Sequence, residues 1–432
     1  MKLVLKLVTL ITIPVVLVVY YFTVDDKIAP EASQMYQSVG ESTESDAYVY
    51  LLGIYAGVDD DPMTVGKQQL EYLRAEEKRI ADKSFEEQTY KIREYPKAKR
   101  LKEFKLKSCK DFKIQDNCGY VDRLLAQNYN SEQIKTSESI LLERYREFLA
   151  KDDFHTLAVP NMMAPFPSYS YLFAGNNLSH LIALDYAEKK REEEAITALL
   201  HEIKQLRHLL QQADSIVLKA IGARSISNSL DLLSVIIHKQ KLDFHHTIPV
   251  LNEEEKSLEK PLNYEFAMAY QFSKVFQKNS SADNSQTNSK LGGILSRKFL
   301  YKPNMQINVA YPRYKRIIEL SKGSAKNFTS FVENDKPVKV KKSFLRNYIG
   351  DILNNVAFPD YSKYAASLFY LDAKIQLFNA TANTKNLPVS PRVINNPFYD
   401  NETSAVYLEN DNSVCFKVPK ETRPSDNCLR IK

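Results

Sequence analysis

NLSHLIALDYAEKKREEEAITALLHEIKQLRHLLQQADSIVLKAIGARSISNSLDLLSVIIHKQK, residues 177–241, carries the strongest periodic signal in the chain. Leu181, Leu184 and Ala187, then Ile196, Leu199, Leu200, Ile203, Leu206 and Leu210, and later Leu230, Leu233, Ile236 and Ile237 recur at helical spacing. Such spacing gathers apolar side chains on one stripe of each helix, and with little glycine or proline between them it predicts three or more antiparallel helices. The fold class that follows is mainly α, an antiparallel helical array. ALDYAEKKREEEAITALLHEIKQLRHLL looks like one tetratricopeptide-style helical pair, with small Ala183, Ala187 and Ala195 where helices approach. The roughly 34-residue repeat with its Trp, Gly and Pro positions does not recur, so the likeness covers one hairpin.

Other stretches also read as helical. Gly66 to Tyr95 is a charged amphipathic helix with Glu/Lys pairs at helical spacing. Val121 to Lys151 carries Leu124, Leu125, Ile134, Ile140, Leu141, Tyr145, Phe148 and Leu149, and a further helical region runs from Phe344 to Asn379. In that last region Tyr348, Ile349, Ile352 and Leu353, then Tyr364, Leu368, Phe369, Leu371 and Leu377, are expected to supply core. At the C-terminus Ala405 to Leu408 and Val414 to Val418 flank Asn410-Asp411-Asn412, which predicts a small β-hairpin.

Leu7 to Val24 (LVTLITIPVVLVVYYFTV) is an uncharged run of 18 residues, long enough at 1.5 Å per residue to cover roughly 27 Å of hydrocarbon. Pro14 is tolerated in a membrane helix, and Tyr20 and Tyr21 stand where an interfacial aromatic belt belongs. Lys2 and Lys6 precede the run and Asp25 and Asp26 follow it, so the basic tip is expected to stay cytoplasmic while the rest crosses. A cleaved signal peptide has a shorter apolar region and an A-x-A-like site, which Thr23-Val24-Asp25-Asp26 does not provide. The reading is an uncleaved signal-anchor.

The domain organisation expected from these features is a cytoplasmic tip and transmembrane segment over 1–24 and a polar tether over 25–46. A helical region over 47–277 and a low-complexity loop over 278–290 (KNSSADNSQTNSK) follow, then a C-terminal helical region over 291–432 that ends in the hairpin. Four cysteines fall in two close pairs. Loop economy favours Cys109 with Cys118 and Cys415 with Cys428, and such bonds persist outside a reducing cytoplasm. Neither pair has redox C-x-x-C or zinc spacing.

Composition narrows the function classes. Only 11 glycines in 432 residues weigh against Gly-rich phosphate loops and tight βα turns. Tryptophan is absent and tyrosine numbers 26, so an aromatic binding surface would be built from Tyr and Phe. A net charge of +6 spread along the chain does not imply nucleic acid. The densest basic segment, Tyr90 to Lys113, could meet an acidic partner or lipid headgroups, but its plainer reading is a solvated helix face and its exit loop.

No motif assembles catalysis. His201 and His208 lie two turns apart on one helix, too far for one metal ion, and Gln205 holds the position where a zincin helix needs its second histidine. His245 and His246 beside Asp243 point apart in regular structure. Ser257-Leu258-Glu259-Lys260 and Ser425-Asp426-Asn427 match two elements of penicillin-recognising enzymes, but the K-T-G element is missing. Tyr370 and Lys374 have a dehydrogenase spacing without a cofactor turn, and read as a core residue and its exposed neighbour. Asp59-Asp60-Asp61 lacks the alternation of a calcium loop and suits the start of a helix. No catalytic residue, metal ligand or cofactor is expected.

DAYVYLLG (46–53), the Cys109/Cys118 loop followed by LLERYREFL (141–149), YLDAKIQLF (370–378) and NPFYDNETSAVYLEN (396–410) together resemble uncharacterised single-pass membrane-anchored envelope proteins of proteobacteria. That resemblance implies a compartment and no activity. The expectation is a helical scaffold or accessory protein. It is held in a bacterial inner membrane by its N-terminal helix in the lipid bilayer, with the bulk in the periplasm, and it binds another envelope protein. The alternatives are a periplasmic hydrolase of a cell-envelope polymer with paired carboxylates brought together by the fold, or an immunity protein against an envelope-directed toxin.

Overall fold

The computed structural model describes residues 2–39, 43–83, 87–91, 95–112, 118–127, 130–277, 299–334, 346–356, 358–382, 394–399, 406–408, 412–419 and 427–432. The expected low-complexity loop over 278–290 lies outside them, as does Ser425. The protein is mainly helical with a small antiparallel sheet at its C-terminus.

The periodic stretch forms three helices, α8 (Ser170–Glu188), α9 (Glu192–Gln212) and α10 (Ile216–Gln240). Lys190 and Lys241 end α8 and α10 with φ of 61° and 55°, a left-handed conformation that stops a helix. The C-terminal ends of α8 and α10 meet, because Gln240 Oε1 accepts from Lys190 (2.9 Å) and Gln240 Nε2 reaches the Ala187 carbonyl (3.4 Å). It follows that α9 runs opposite to both. With a mean hydropathy of 1.2, α10 is long and apolar enough to cross a membrane, yet 89% of that window is buried inside the body. It is the rod around which the rest packs, and its burial explains an apolar composition that extends round the helix rather than along one stripe.

Before this layer come α3 (Asp46–Gly53), α4 (Pro62–Ile80), α5 (Tyr120–Leu125), α6 (Ser131–Ser137) and α7 (Ser139–Leu149). Asp61 caps α4 by accepting from the Thr64 hydroxyl (2.7 Å) and amide (2.8 Å), and those hydrogen bonds hold its carboxyl below the usual range. The acidic triplet thus starts a helix, earlier than the expected Gly66, and the helix ends at Ile80 instead of Tyr95. Gly66 faces the Val49 carbonyl so closely that no Cβ fits, which lets α3 and α4 cross in contact. Buried Arg144 on α7 clamps the loop between them, donating to the carbonyls of Ile54 (3.1 Å), Gly57 (2.8 Å) and Asp60 (3.0 Å).

The stretch expected as one helix over 121–151 is broken into α5, α6 and α7, with Asn130 capping α6 through the Gln133 amide at 2.7 Å. Among the described residues of the basic segment 90–113 there is no α-helix, only 3-10 turns at Lys97–Lys99 and Cys109–Phe112. The segment is tied down by backbone instead. Leu101 donates to the Tyr55 carbonyl at 3.0 Å and accepts from the Tyr171 hydroxyl at 2.7 Å.

The C-terminal half contributes α11 (Glu253–Lys256), α12 (Glu259–Gln277), α13 (Pro303–Lys322), α14 (Ala325–Asn334), α15 (Tyr348–Val356) and α16 (Ser362–Ala382). The region read as helical over 344–379 is therefore two helices. Leu368, Phe369, Leu371 and Leu377 of α16 enter the core as expected, but Tyr348 and Ile352 of α15 are exposed. Lys374 is not an exposed neighbour: it is wholly buried, with its ammonium 2.7 Å from Asp231 on α10 and 2.9 Å from the Ser227 hydroxyl.

Of the expected polar tether over 25–46, the stretch 25–38 is instead docked. Helix α2 (Pro30–Gln37) lies on α12, with the Tyr36 and Tyr270 rings stacked at 4.0 Å. Asp25 accepts from the backbone amides of Asn304 (2.8 Å) and Met305 (3.3 Å), supplying from a distance the anion that the N-terminus of α13 calls for. Ahead of it projects α1 (Lys2–Thr23), in which Leu10 and every residue from Thr12 to Tyr21 are exposed, on all faces of the helix.

Among the described residues three strands, rather than the two of a hairpin, lie at the C-terminus: β1 (Val406–Leu408), β2 (Ser413–Cys415) and β3 (Cys428–Arg430), antiparallel in that order. Cys415 stands opposite Cys428 and the two are bonded, their Cα atoms 4.1 Å apart, while Cys109 and Cys118 are bonded at 6.1 Å. The Arg430 amide donates to Asp231 (2.9 Å) and its guanidinium pairs with Asp122 (2.8 Å), which seats the sheet on α10 and α5. One apolar core runs from Ala32 to Ile431 and so joins both helical regions, with a smaller cluster around Tyr48, Val49, Leu70 and Leu73 beside it.

Candidate functional site

The residues singled out in the sequence do not converge. His201 is exposed, and His208 reaches the Asp152 carbonyl (3.2 Å) with its ring edge-on to Phe154. His245 and His246 are exposed, the latter against the Phe244 ring. Ser257 caps its own turn, its hydroxyl accepting from the Glu259 amide at 3.2 Å, and Lys260 is exposed. Among the described residues no group of three His, Cys, Asp or Glu side chains could hold a metal ion.

A set that the periodicity concealed lies inside the bundle. His180 on α8 is fully buried; its Nε2 lies 2.9 Å from the Ser229 hydroxyl of α10 and 3.1 Å from the Glu202 carboxylate of α9, and its Nδ1 is 2.8 Å from the Tyr120 hydroxyl of α5. Glu202 also accepts from Tyr145 of α7 (2.7 Å) and Asn176 of α8 (3.1 Å). Burial pushes the Glu202 carboxyl up, but the His180 ring beside it and these donors more than offset that, so it is held below the usual range. Burial, with Glu202 nearby, drives the Tyr120 and Tyr145 phenols far up.

Serine, histidine and glutamate together suggest a nucleophile with its base, but Ser229 and Glu202 share one ring nitrogen, and Ser229, His180 and Glu202 are all buried. A triad needs the acid on the other nitrogen and an approach for substrate. Here the groups join five helices. The trace in sequence is Asn176 and His180, four residues apart, interrupting the apolar face of α8.

An accessible site lies elsewhere, in the loop from α7 to α8. Its backbone is fixed at several points: Thr156 donates twice to Asp214 (2.8 and 2.7 Å), Val159 to Glu77 (2.8 Å), and Ala158 accepts from Tyr264 (3.2 Å). Asn161 Nδ2 donates to Gln88 at 3.1 Å while its Oδ1 closes a turn on the Met163 amide at 2.9 Å. On this fixed frame Val159, Met162, Met163 and Phe166 stay exposed.

Beneath the loop, between α4 and α12, opens a recess of about 510 Å³ walled by Glu77, Ile80, Tyr90, Leu157, Met162, Phe272 and Val275. A second of about 170 Å³ continues from Met162 and Phe272 to Ile307, Tyr314 and Leu353. A third of about 160 Å³ lies on the far side of Tyr90, towards Tyr55 and Phe166. Burial raises the Glu77 carboxyl, although the Val159 amide and Arg74 oppose it, and pushes the Tyr90 phenol up to about 12. The walls are apolar with a few polar groups, a lining that suits binding, and methionines adapt to varied apolar shapes.

The recess also has a place relative to α1. Phe272 and Val275 are within a turn of Lys274, whose ammonium donates to Asn304 (2.8 Å), and Asn304 in turn donates to the Asp26 carbonyl (2.8 Å). It therefore lies at the end of the body from which α1 departs. No protein-family model, no curated protein and no solved structure matches the chain.

Proposed function

We propose that the protein is a non-catalytic helical adaptor held in a bacterial inner membrane by α1, with its body in the periplasm, where it takes an apolar segment of another envelope protein at the recess under residues 157–168. The observation that carries the reading is the bare α1 helix, apolar from Leu10 to Tyr21 apart from Thr12 and held at its far end by the body. Large apolar surface on every face of a helix is costly in water and stable in lipid. Two disulfides accord with an oxidising compartment. The α8–α9 hairpin, with Ala183, Ala187 and Ala195 buried where helices meet, fits a tetratricopeptide-like pair and with it a role in protein binding.

The test is a reporter fused after Lys432, combined with a photo-crosslinking residue at Phe166. We expect a reporter that works only when exported to be active, the chain to resist carbonate extraction, and the crosslink to join it repeatedly to one envelope protein. A reporter active only in the cytosol refutes the topology. A chain that is anchored and exported but never crosslinked from position 166 or 162 refutes the adaptor role.

A further inference from the structure

Helix α15 is inside out. Its buried positions are Gly350, Asp351 and Asn354, and the preceding Asn347 is buried too. Its exposed positions include Tyr348, Ile352 and Val356, at 53%, 44% and 81% exposure, one above the other at four-residue spacing. The inward polar groups bind α13 and its approach: Asn354 Nδ2 donates to the Gln306 carbonyl (3.0 Å), the Asn354 carbonyl accepts from Arg313 (2.6 Å), and Asn347 accepts from the Lys302 amide (2.7 Å). The orientation is therefore fixed by hydrogen bonds. The apolar stripe faces outward because the polar side is the one the body uses.

Its position is also fixed. Arg346, two residues before α15, donates to the carbonyls of Tyr21 (3.1 Å) and Val24 (3.0 Å), pairs with Asp26 (2.9 Å) and lies 5.0 Å from the Tyr21 ring. Tyr348 thus starts within about 7 Å of chain from the end of α1, and α15 extends roughly 13 Å beyond. If α1 lies in a bilayer, the start of α15 at Tyr348 sits near the depth where headgroups meet acyl chains, and Val356 lies within the length of the helix from it. An amphipathic helix there lies in the plane of the interface with its apolar face down.

We infer that α15 is a second, interfacial membrane contact: Tyr348, Ile352 and Val356 rest in the lipid surface beside the point where α1 emerges, and set the tilt of the body on the bilayer. This rests on the anchoring proposed above. It gives the exposed stripe one occupant, a phospholipid surface, because Arg346 ties it to the exit of an apolar helix that stays exposed from Thr12 to Tyr21 among the described residues.

The experiment uses the full chain in phosphatidylethanolamine/phosphatidylglycerol vesicles. A single environment-sensitive fluorophore is placed at Val356→Cys, Val16→Cys or, as a control, Glu193→Cys on α9; the four native cysteines are paired and do not compete. Brominated lipids quench labels in the bilayer and iodide quenches labels in water. We expect the Val16 label to lose intensity to deep bromines, the Val356 label to shallow ones, and the Glu193 label only to iodide. A Val356 label quenched like Glu193 while Val16 is quenched from lipid overturns the inference and leaves the anchor standing. A Val356 label shielded from both quenchers overturns it in favour of a second copy of the chain. A Val16 label quenched by iodide overturns the anchor itself and the inference with it.

Discussion

Beneath α8, α9 and α10 the protein buries charges, and around α1 and α15 it exposes apolar side chains. The two regions invert the usual rule in opposite directions, and they differ in partners. His180, Glu202, Asp231 and Lys374 are each met by named groups from other helices, so their burial is explained within the chain. Among the described residues, Val15 to Val19 of α1 and Ile352 and Val356 of α15 keep large exposed areas. Polar groups inside fix how the helices meet; apolar groups outside indicate a surface that the chain does not itself provide. Perturbing the first region should change stability, and perturbing the second should change only where the protein sits.

The largest effect is expected at the Lys374–Asp231 pair. Replacing Asp231→Ala removes the carboxylate that neutralises a buried ammonium and also frees the Arg430 amide that seats β3, so unfolding free energy should fall by about 3–5 kcal/mol. The double variant Asp231→Leu with Lys374→Met should recover most of that loss in chemical denaturation. A single variant as stable as the parent would show that the pair does not hold α10, α16 and the sheet together.

A smaller loss is expected at Gly175. A Cβ there would enter the side chain of Tyr145, whose hydroxyl donates to Glu202. Gly175→Ala should cost about 1–3 kcal/mol through overpacking, and should be less damaging when Tyr145 is also shortened to Leu. If the two substitutions add independently, the α7–α8 approach does not position Tyr145.

His238 on α10 probes the inner region by pH. Burial, with Lys432 nearby, lowers its ring to about 4, and its Nε2 has no hydrogen-bond partner among the described residues. In the unfolded chain the value is about 6.5. Between those values the unfolded chain binds more protons, so the contribution is complete above pH 6.5 and is lost as pH falls towards 4. His238→Gln should flatten the melting temperature across that window by comparison with the parent, and an unchanged slope would assign the acid sensitivity to other groups.

The legibility of the two regions in sequence differs for the same reason. Periodicity reports a stripe but not which way it faces. In α8 to α10 the stripe faces inward, as its spacing predicts; in α15 the same spacing of Tyr348, Ile352 and Val356 faces outward, because Asn347 and Asn354 have better partners on Lys302 and α13 than water. Cysteine spacing showed both bonds because short loops leave few choices. Lys374 and His180 could not be placed, since their partners, Asp231 and Glu202, are distant in sequence and only packing brings them together. The segment after α1 reads as a tether for a related reason: its composition is polar, and nothing in it shows that Asp25 is taken up by the N-terminus of α13. The recess at Met162 left a trace in the exposed run of methionine, phenylalanine and proline, without any indication of what lies opposite.

The smallest expected change in stability is the one that separates the regions most sharply. Ile352→Asp with Val356→Asp alters two side chains on the exposed face of α15, and substitutions at the surface usually stay within about 0.5 kcal/mol. The melting temperature in detergent should therefore match the parent. In the bilayer the same double variant places two carboxylates at the lipid surface beside Arg346, and the body should lift. The control label at Glu193 should then keep its response to iodide, while a label at Tyr348→Cys in the same background loses contact with shallow bromines. If instead the double variant melts well below the parent in detergent, these side chains are core after all, the outer region is no different in kind from the inner one, and the contrast between them fails.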